Sequence, residues 1–140
     1  MTDFKTIQFK VSNQVATLTL DNPSKRNALD PAMRVEVSEV VMQIRRDPSI
    51  RALILTGANG HFCAGGDLKN IATVGLDNQG WRQRLQDLHA WLQELLTLDR
   101  PVIAAVDGAA AGAGFSLALA ADFVLATPRA RFCMSFLKVG

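Results

Sequence analysis

Pro101-Val102-Ile103-Ala104-Ala105-Val106-Asp107-Gly108 runs directly into Ala109-Ala110-Ala111-Gly112-Ala113-Gly114-Phe115-Ser116-Leu117-Ala118. The first part is an apolar run that reads as a buried strand ending at Asp107-Gly108. Small residues follow, and an alanine-rich helix begins. A helix start built from residues this small lets a ligand come close to backbone N–H groups, and the helix dipole favours negative charge there. A developing oxyanion needs that environment. The same letters also suit a plain tight turn, because Gly/Ala-rich strand-to-helix corners are common in α/β proteins.

A second loop has the same character. Ala52-Leu53-Ile54-Leu55-Thr56-Gly57 reads as a short buried strand leading into Ala58-Asn59-Gly60-His61-Phe62-Cys63-Ala64-Gly65-Gly66-Asp67-Leu68-Lys69. Gly65-Gly66 frees the backbone to take unusual dihedrals, and Asp67 is placed to cap a short helix. One such turn makes a structural corner. Two can each supply one N–H to the same oxygen.

Outward from these turns the pattern is α/β. Thr6 to Lys10 and Val15 to Leu20 alternate apolar and polar residues around Ser12-Asn13-Gln14, a hairpin pattern. Asp30 caps a helix with Pro31 at its first position. Met33, Val37, Val40, Val41 and Ile44 recur at helical spacing until Asp47-Pro48. Trp81, Leu85, Leu88, Leu92, Leu95 and Leu96 mark a second amphipathic helix ending before Arg100-Pro101. A helix over Phe115 to Ala121 and a strand over Phe123 to Ala126 follow. Phe132 to Val139 reads as one more strand.

Composition narrows the function classes. A chain of 140 residues with 49% hydrophobic residues is one domain's worth, large enough to bury a core. A net charge of +2, without a basic cluster, argues against nucleic acid as partner. Cys63 and Cys133 lack CxxC spacing, which fits a reduced, cytoplasmic compartment. His61 and His89 are the only histidines, too few for a zinc site. Met1-Thr2-Asp3-Phe4-Lys5 has no hydrophobic signal core, and no apolar run is long enough to span a bilayer.

Phe62-Cys63-Ala64-Gly65-Gly66-Asp67-Leu68-Lys69 resembles the first oxyanion-hole segment of the crotonase superfamily, the enoyl-CoA hydratase/isomerase family. Ala104 to Gly114 resembles its second. Leu20-Asp21-Asn22-Pro23-Ser24-Lys25-Arg26-Asn27-Ala28-Leu29 looks like the lead-in to the family's first long helix. Ala121 to Ala126 with Ala130-Arg131-Phe132 matches the strand pair after the second motif. The resemblance covers nearly the whole chain in order and spacing. It implies a crotonase-like spiral of ββα units, the chain (1–140) forming its N-terminal core. It also implies a longer protein, with C-terminal helices beyond Gly140 that build a trimer or a dimer of trimers.

The resemblance assigns chemistry residue by residue. The N–H groups of Gly66 and Ala113 would hold the carbonyl oxygen of an acyl-CoA thioester and stabilise its enolate. Losing one such donor typically costs roughly 3 kcal/mol in the transition state. The Ala113 position is usually glycine in the family; alanine keeps the N–H and sets a methyl near the thioester. The Ala64 carbonyl would face the adenine, and Lys25, Arg26 and Lys69 are candidates for the CoA phosphates, each otherwise a solvated surface cation. No metal or separate cofactor is implied, since coenzyme A is part of the substrate.

The chain departs from the hydratase pattern where two glutamates position water. Ser116 and Phe136 stand at those positions, and neither is a carboxylate base. Phe136-Leu137-Lys138-Val139-Gly140 looks like a segment after which isomerase-type relatives carry a single acid, which would lie beyond Gly140. An isomerase-type acyl-CoA enzyme is the first reading. A hydratase or hydrolase with non-standard acid and base is the second, and a non-catalytic acyl-CoA-binding or assembly subunit the third. His61 reads as a loop surface residue, His89 as a helix-face histidine, and Asp67 as a cap rather than a base. Ser116 has no His or Asp placed to activate it. Trp81 and Trp91 read as core or as a lid over an acyl pocket, and Cys63 as a small buried thiol.

Overall fold

A computed structural model of the chain describes residues 3–139; Met1, Thr2 and Gly140 of the readings above lie outside the described residues. Strands β1 (Ile7–Ser12) and β2 (Val15–Leu20) form a hairpin closed by Asn13 and Gln14, both at positive φ. Two left-handed residues make the turn whose twist matches the flanking strands. A 3-10 turn over Pro23–Lys25 leads to α1 (Pro31–Arg46), where Asp30 accepts the Met33 N–H at 2.9 Å. Met33, Val37, Val40, Val41 and Ile44 are buried, as their spacing requires.

The rest of the chain repeats a strand–strand–helix unit. β3 (Ala52–Gly57) and β4 (His61–Cys63) precede α2 (Leu68–Thr73) and α3 (Asn78–Leu96). β5 (Val102–Val106) and β6 (Ala109–Ala111) precede α4 (Ala113–Leu119), and β7 (Phe123–Ala126) and β8 (Arg131–Cys133) precede α5 (Phe136–Val139). The first strand of each unit joins a five-stranded sheet of order β1-β2-β3-β5-β7, parallel from β2 onward. The second joins a small parallel sheet of order β4-β6-β8. Successive units therefore stack as a spiral. Arg129 pairs with Asp107 and ties the β5–β6 corner to the β7–β8 corner.

In-register burial builds the core. Ala16, Leu53 and Val102 are paired across three strands, and all are buried, as are Leu55 and Ala104 beside them. Phe62 and Cys63 of β4, Ala110 of β6 and Leu117 of α4 join the same cluster. Among the described residues no helix is long and apolar enough to cross a membrane, and no group of His, Cys, Asp and Glu is arranged to hold a metal.

Several expectations are corrected. Phe132 to Val139 is not one strand: β8 ends at Cys133, and Phe136 begins a helical turn. On α3 only Trp91 and Leu95 are buried, Leu88 and Leu92 pack partly against the core, and Leu85 and Leu96 face outward. Trp81 is half-buried, with the Arg84 guanidinium over its ring. The helix placed at Phe115 to Ala121 begins at Ala113 and ends at Leu119, and β1 runs Ile7–Ser12 rather than Thr6 to Lys10.

Two expectations follow, measured on the complete gene product. Phe62 is fully buried, so Phe62→Ala should lower unfolding free energy by about 3–5 kcal/mol in urea titrations, through lost transfer energy and the cavity left behind. Burial pushes the Cys63 thiol up to about 12. A thiol held protonated in the core is a poor nucleophile. Cys63 should therefore resist alkylation by iodoacetamide at mildly alkaline pH in folded Cys133→Ser protein and react once urea unfolds it; rapid labelling of Cys63 in the folded protein would contradict the packing.

Candidate active site

The small sheet brings the two small-residue turns side by side, because β4 and β6 are neighbours with His61 opposite Ala109 and Cys63 opposite Ala110. Contact between the turns is backbone on backbone. A Cβ added at Gly114 would lie 2.3 Å from the Cys63 carbonyl oxygen, and one at Gly65 would lie 2.5 Å from the Ala111 oxygen and 3.3 Å from the Ala113 nitrogen. No side chain fits between them. The readings that placed the two turns at one site agree with this geometry.

The first turn is gripped from the segment before α1. Leu29 N–H donates to the Gly65 carbonyl at 2.7 Å, and Ala64 N–H donates to the Arg26 carbonyl at 3.1 Å. Gly65 O and Gly66 N belong to one planar trans peptide, so holding the oxygen aims the N–H the opposite way. The Asn27 side chain, fully buried, donates to the carbonyls of Ala58 and His61 and accepts the Asn22 N–H. The second turn is fixed by Gly112 N–H donating to Cys133 O at 2.8 Å and by the Gly112 carbonyl accepting from Phe115 and Ser116 N–H. Ala113 is the first residue of α4, where an N–H has no partner within the helix. Among the described residues no acceptor takes the Gly66 or the Ala113 N–H, and both residues are half-buried. Two unsatisfied donors thus stand on adjoining turns.

No free carboxylate accompanies them at the two positions that matter. Ser116 Oγ reaches the Gly112 carbonyl at 3.5 Å, and the Phe136 ring edge stands 3.9 Å from where a Gly112 Cβ would be. Both positions therefore converge on the second turn, occupied by a hydroxyl and a phenyl ring. Asp67 caps α2, accepting Asn70 N–H at 3.2 Å. Hydrogen bonding from Lys25, then from the Asn70 N–H, holds its carboxyl below the usual carboxylate range. It is a cap of α2.

The cations expected near a CoA phosphate separate into two kinds. Arg26 and Lys69 are exposed beside the first turn. Lys25 is exposed as well, but its Nζ is engaged, 2.9 Å from both Asp30 and Asp67. The Ala64 carbonyl accepts no hydrogen bond among the described residues. His61 is half-buried and contributes its backbone carbonyl to Asn27; His89 is exposed on α3, and Trp91 is core. A concavity of about 990 Å3 lies between α1 and α3 and is lined by neither turn. Its lining mixes Arg34, Arg46 and Arg84 with Glu39, Asp87 and Glu94. The residue that sequence reasoning missed is Asn27. Its signal was a polar residue directly before Ala28-Leu29, in a type that tolerates positive φ.

Residues 10–140 match the family described as enoyl-CoA hydratase/isomerase. The chain is 41% identical over 138 residues to a probable enoyl-CoA hydratase of Rhodobacter capsulatus, covering 98% of this chain and 52% of that protein. It is 40% identical over 132 residues to the 1,2-epoxyphenylacetyl-CoA isomerase of Escherichia coli, covering 93% of this chain and 50% of the relative. A crystal structure of an enoyl-CoA hydratase/isomerase from Cupriavidus metallidurans superposes with a TM-score of 0.92 at 40% identity, over all of this chain and 52% of that one. The chain spans about half the length of the curated relatives it matches. Spiral, paired turns and sequence agree: the chain belongs to the enoyl-CoA hydratase/isomerase family, within the crotonase superfamily.

Proposed function

We propose that this chain carries the oxyanion hole of an acyl-CoA isomerase. The observation that carries the reading is the pair of unpartnered N–H groups on Gly66 and Ala113, on turns packed backbone to backbone. A thioester carbonyl oxygen seated between them accepts both hydrogen bonds. When a base takes a proton from the carbon next to the thioester, or from its vinylogous position, the electron pair moves onto that oxygen. The two donors are aimed where the charge develops, which lowers the barrier. Returning the proton to the other carbon regenerates a neutral enoyl thioester with its double bond moved. One acid–base group suffices for that transfer, whereas hydration needs groups that position and deprotonate water.

Ser116 and Phe136 favour the isomerase over a hydratase, because neither can take a proton. The acid–base residue is then one that follows Gly140, consistent with relatives about twice as long. Arg26 and Lys69, both exposed, would meet the phosphates of CoA, and the Ala64 carbonyl would face the adenine. No cofactor is needed beyond the substrate's own CoA. The working enzyme is a homotrimer or a dimer of trimers in the cytoplasm. A second reading, a non-catalytic acyl-CoA-binding subunit, draws on the same two substitutions.

The test uses the complete gene product with paired 2-enoyl- and 3-enoyl-CoA thioesters. Interconversion is expected. Ala113→Pro removes one donor at the first helical position, where proline is well accepted. It should lower kcat/KM about 100- to 1,000-fold while the thermal midpoint stays near wild type; an unchanged rate would overturn the oxyanion assignment. Hydration of crotonyl-CoA should be slow beside isomerisation. Hydration as the faster activity would overturn the isomerase reading, and tight acyl-CoA binding without turnover would favour the binding subunit.

A further inference from the structure

The Lys25 ammonium joins two helix caps that serve different parts of the chain. Asp30 gives Oδ1 to the Met33 N–H at the start of α1 and Oδ2 to Lys25 at 2.9 Å. Asp67 gives Oδ1 to the Asn70 N–H at the start of α2 and Oδ2 to Lys25, also at 2.9 Å. Both carboxylates are largely shielded, with side-chain exposures of 8% and 11%. Each is adjacent in sequence to a residue of the first turn's grip: Asp30 follows Leu29, and Asp67 follows Gly66. Leu29 N–H holds the carbonyl of the same peptide whose N–H belongs to Gly66. A closed ring results, running from Gly66 through Asp67, Lys25, Asp30 and Leu29 back to the Gly65–Gly66 peptide.

We infer that Lys25 is a positioning residue that fixes the direction of the Gly66 N–H by clamping Asp67 to Asp30, and that its main contribution is not to bind a CoA phosphate. The inference rests on the proposed role of Gly66 as a donor. Its physical content is simple. Two shielded carboxylates drawn together at the ends of two helices repel unless a cation lies between them. Without Lys25 the pair moves apart, the Leu29 link is strained, and the donor peptide loses its fixed plane. Hydrogen bonds donated to Asp30 and Asp67 hold the ammonium well above the usual lysine range, so the clamp stays charged at working pH.

The experiment compares wild type, Lys25→Met and Lys25→Arg of the complete gene product. Two substrates are used: an enoyl-CoA, and the same acyl group on pantetheine, which lacks the nucleotide phosphates. Lys25→Met should lower kcat about 10- to 100-fold on both thioesters alike, with KM for the CoA thioester little changed, and Lys25→Arg should recover most of the rate. Infrared spectra of a bound acyl-CoA supply a readout independent of turnover. The thioester carbonyl stretch, lowered by the two donors, should move back toward its solution value in Lys25→Met. A loss confined to KM, present with CoA and absent with pantetheine, would make Lys25 a phosphate ligand and overturn the inference. If the stretch responds to Ala113→Pro but not to Lys25→Met, the clamp fails and the oxyanion reading stands. If it responds to neither, the oxyanion reading fails first. If Lys25→Met does not fold, an unchanged stretch and rate in Asp67→Asn overturns the clamp.

Discussion

The contact between two backbone turns governs this molecule. Cys63 to Gly66 and Ala111 to Gly114 approach so closely that neither Gly65 nor Gly114 has room for a Cβ. Neighbouring strands of a sheet sit about 4.8 Å apart, and β4 and β6 are such neighbours. Their continuations into helices therefore stay in contact only if both are stripped of side chains. The run of glycine and alanine satisfies that constraint. The large sheet sets the order of the units, the small sheet sets the spacing of the turns, and the buried Asn27 braces the segment leading into the first turn by holding the carbonyls of Ala58 and His61. Buried polar groups with full hydrogen-bond complements specify one arrangement, and Asn27 does so here.

Much of this was legible in the residues. The α1 stripe, the caps at Asp30 and Asp67, and the strands over Ala52 to Thr56 and Val102 to Val106 follow from periodicity and cap chemistry, and each is present. The small sheet was hidden for a physical reason. Ala109–Ala111 makes a strand through pairing with two neighbours, yet alanine has low strand propensity and the stretch resembles a turn. The α3 stripe misled because its leucines outnumber the surface it has to bury: α1 is its main partner, and Leu85 and Leu96 fall outside that contact. The Lys25 clamp joins residues distant in sequence, and no local pattern announces such a ring. At the site, both donors and the two missing carboxylates were readable only through the resemblance. Periodicity alone supported α/β and no more.

Scaffold and reaction are separable here. Of the residues that can be matched, 41% and 40% are shared with relatives bearing the names of a hydratase and of an isomerase. On the proposed reading, the two N–H groups would polarise a carbonyl without determining where a proton goes. Around Gly112 this chain presents Ser116 and Phe136, and the proposed acid–base group is a separate side chain. A fold tells which functional group is activated, and the residues lining it tell what is done to it.

Because the two donors are main-chain N–H groups, point substitution at either position leaves the polarising element in place for nearly every amino acid. What varies freely is the ring of side chains around it. Such a division makes a protein tolerant of genetic drift in its core chemistry and at the same time open to new reactions. Under the proposed function, exchanging side chains around the turns would change the reaction without removing either N–H group. Gly65 and Gly114 are the exception. There the lack of space, not the lack of a donor, restricts what evolution can try.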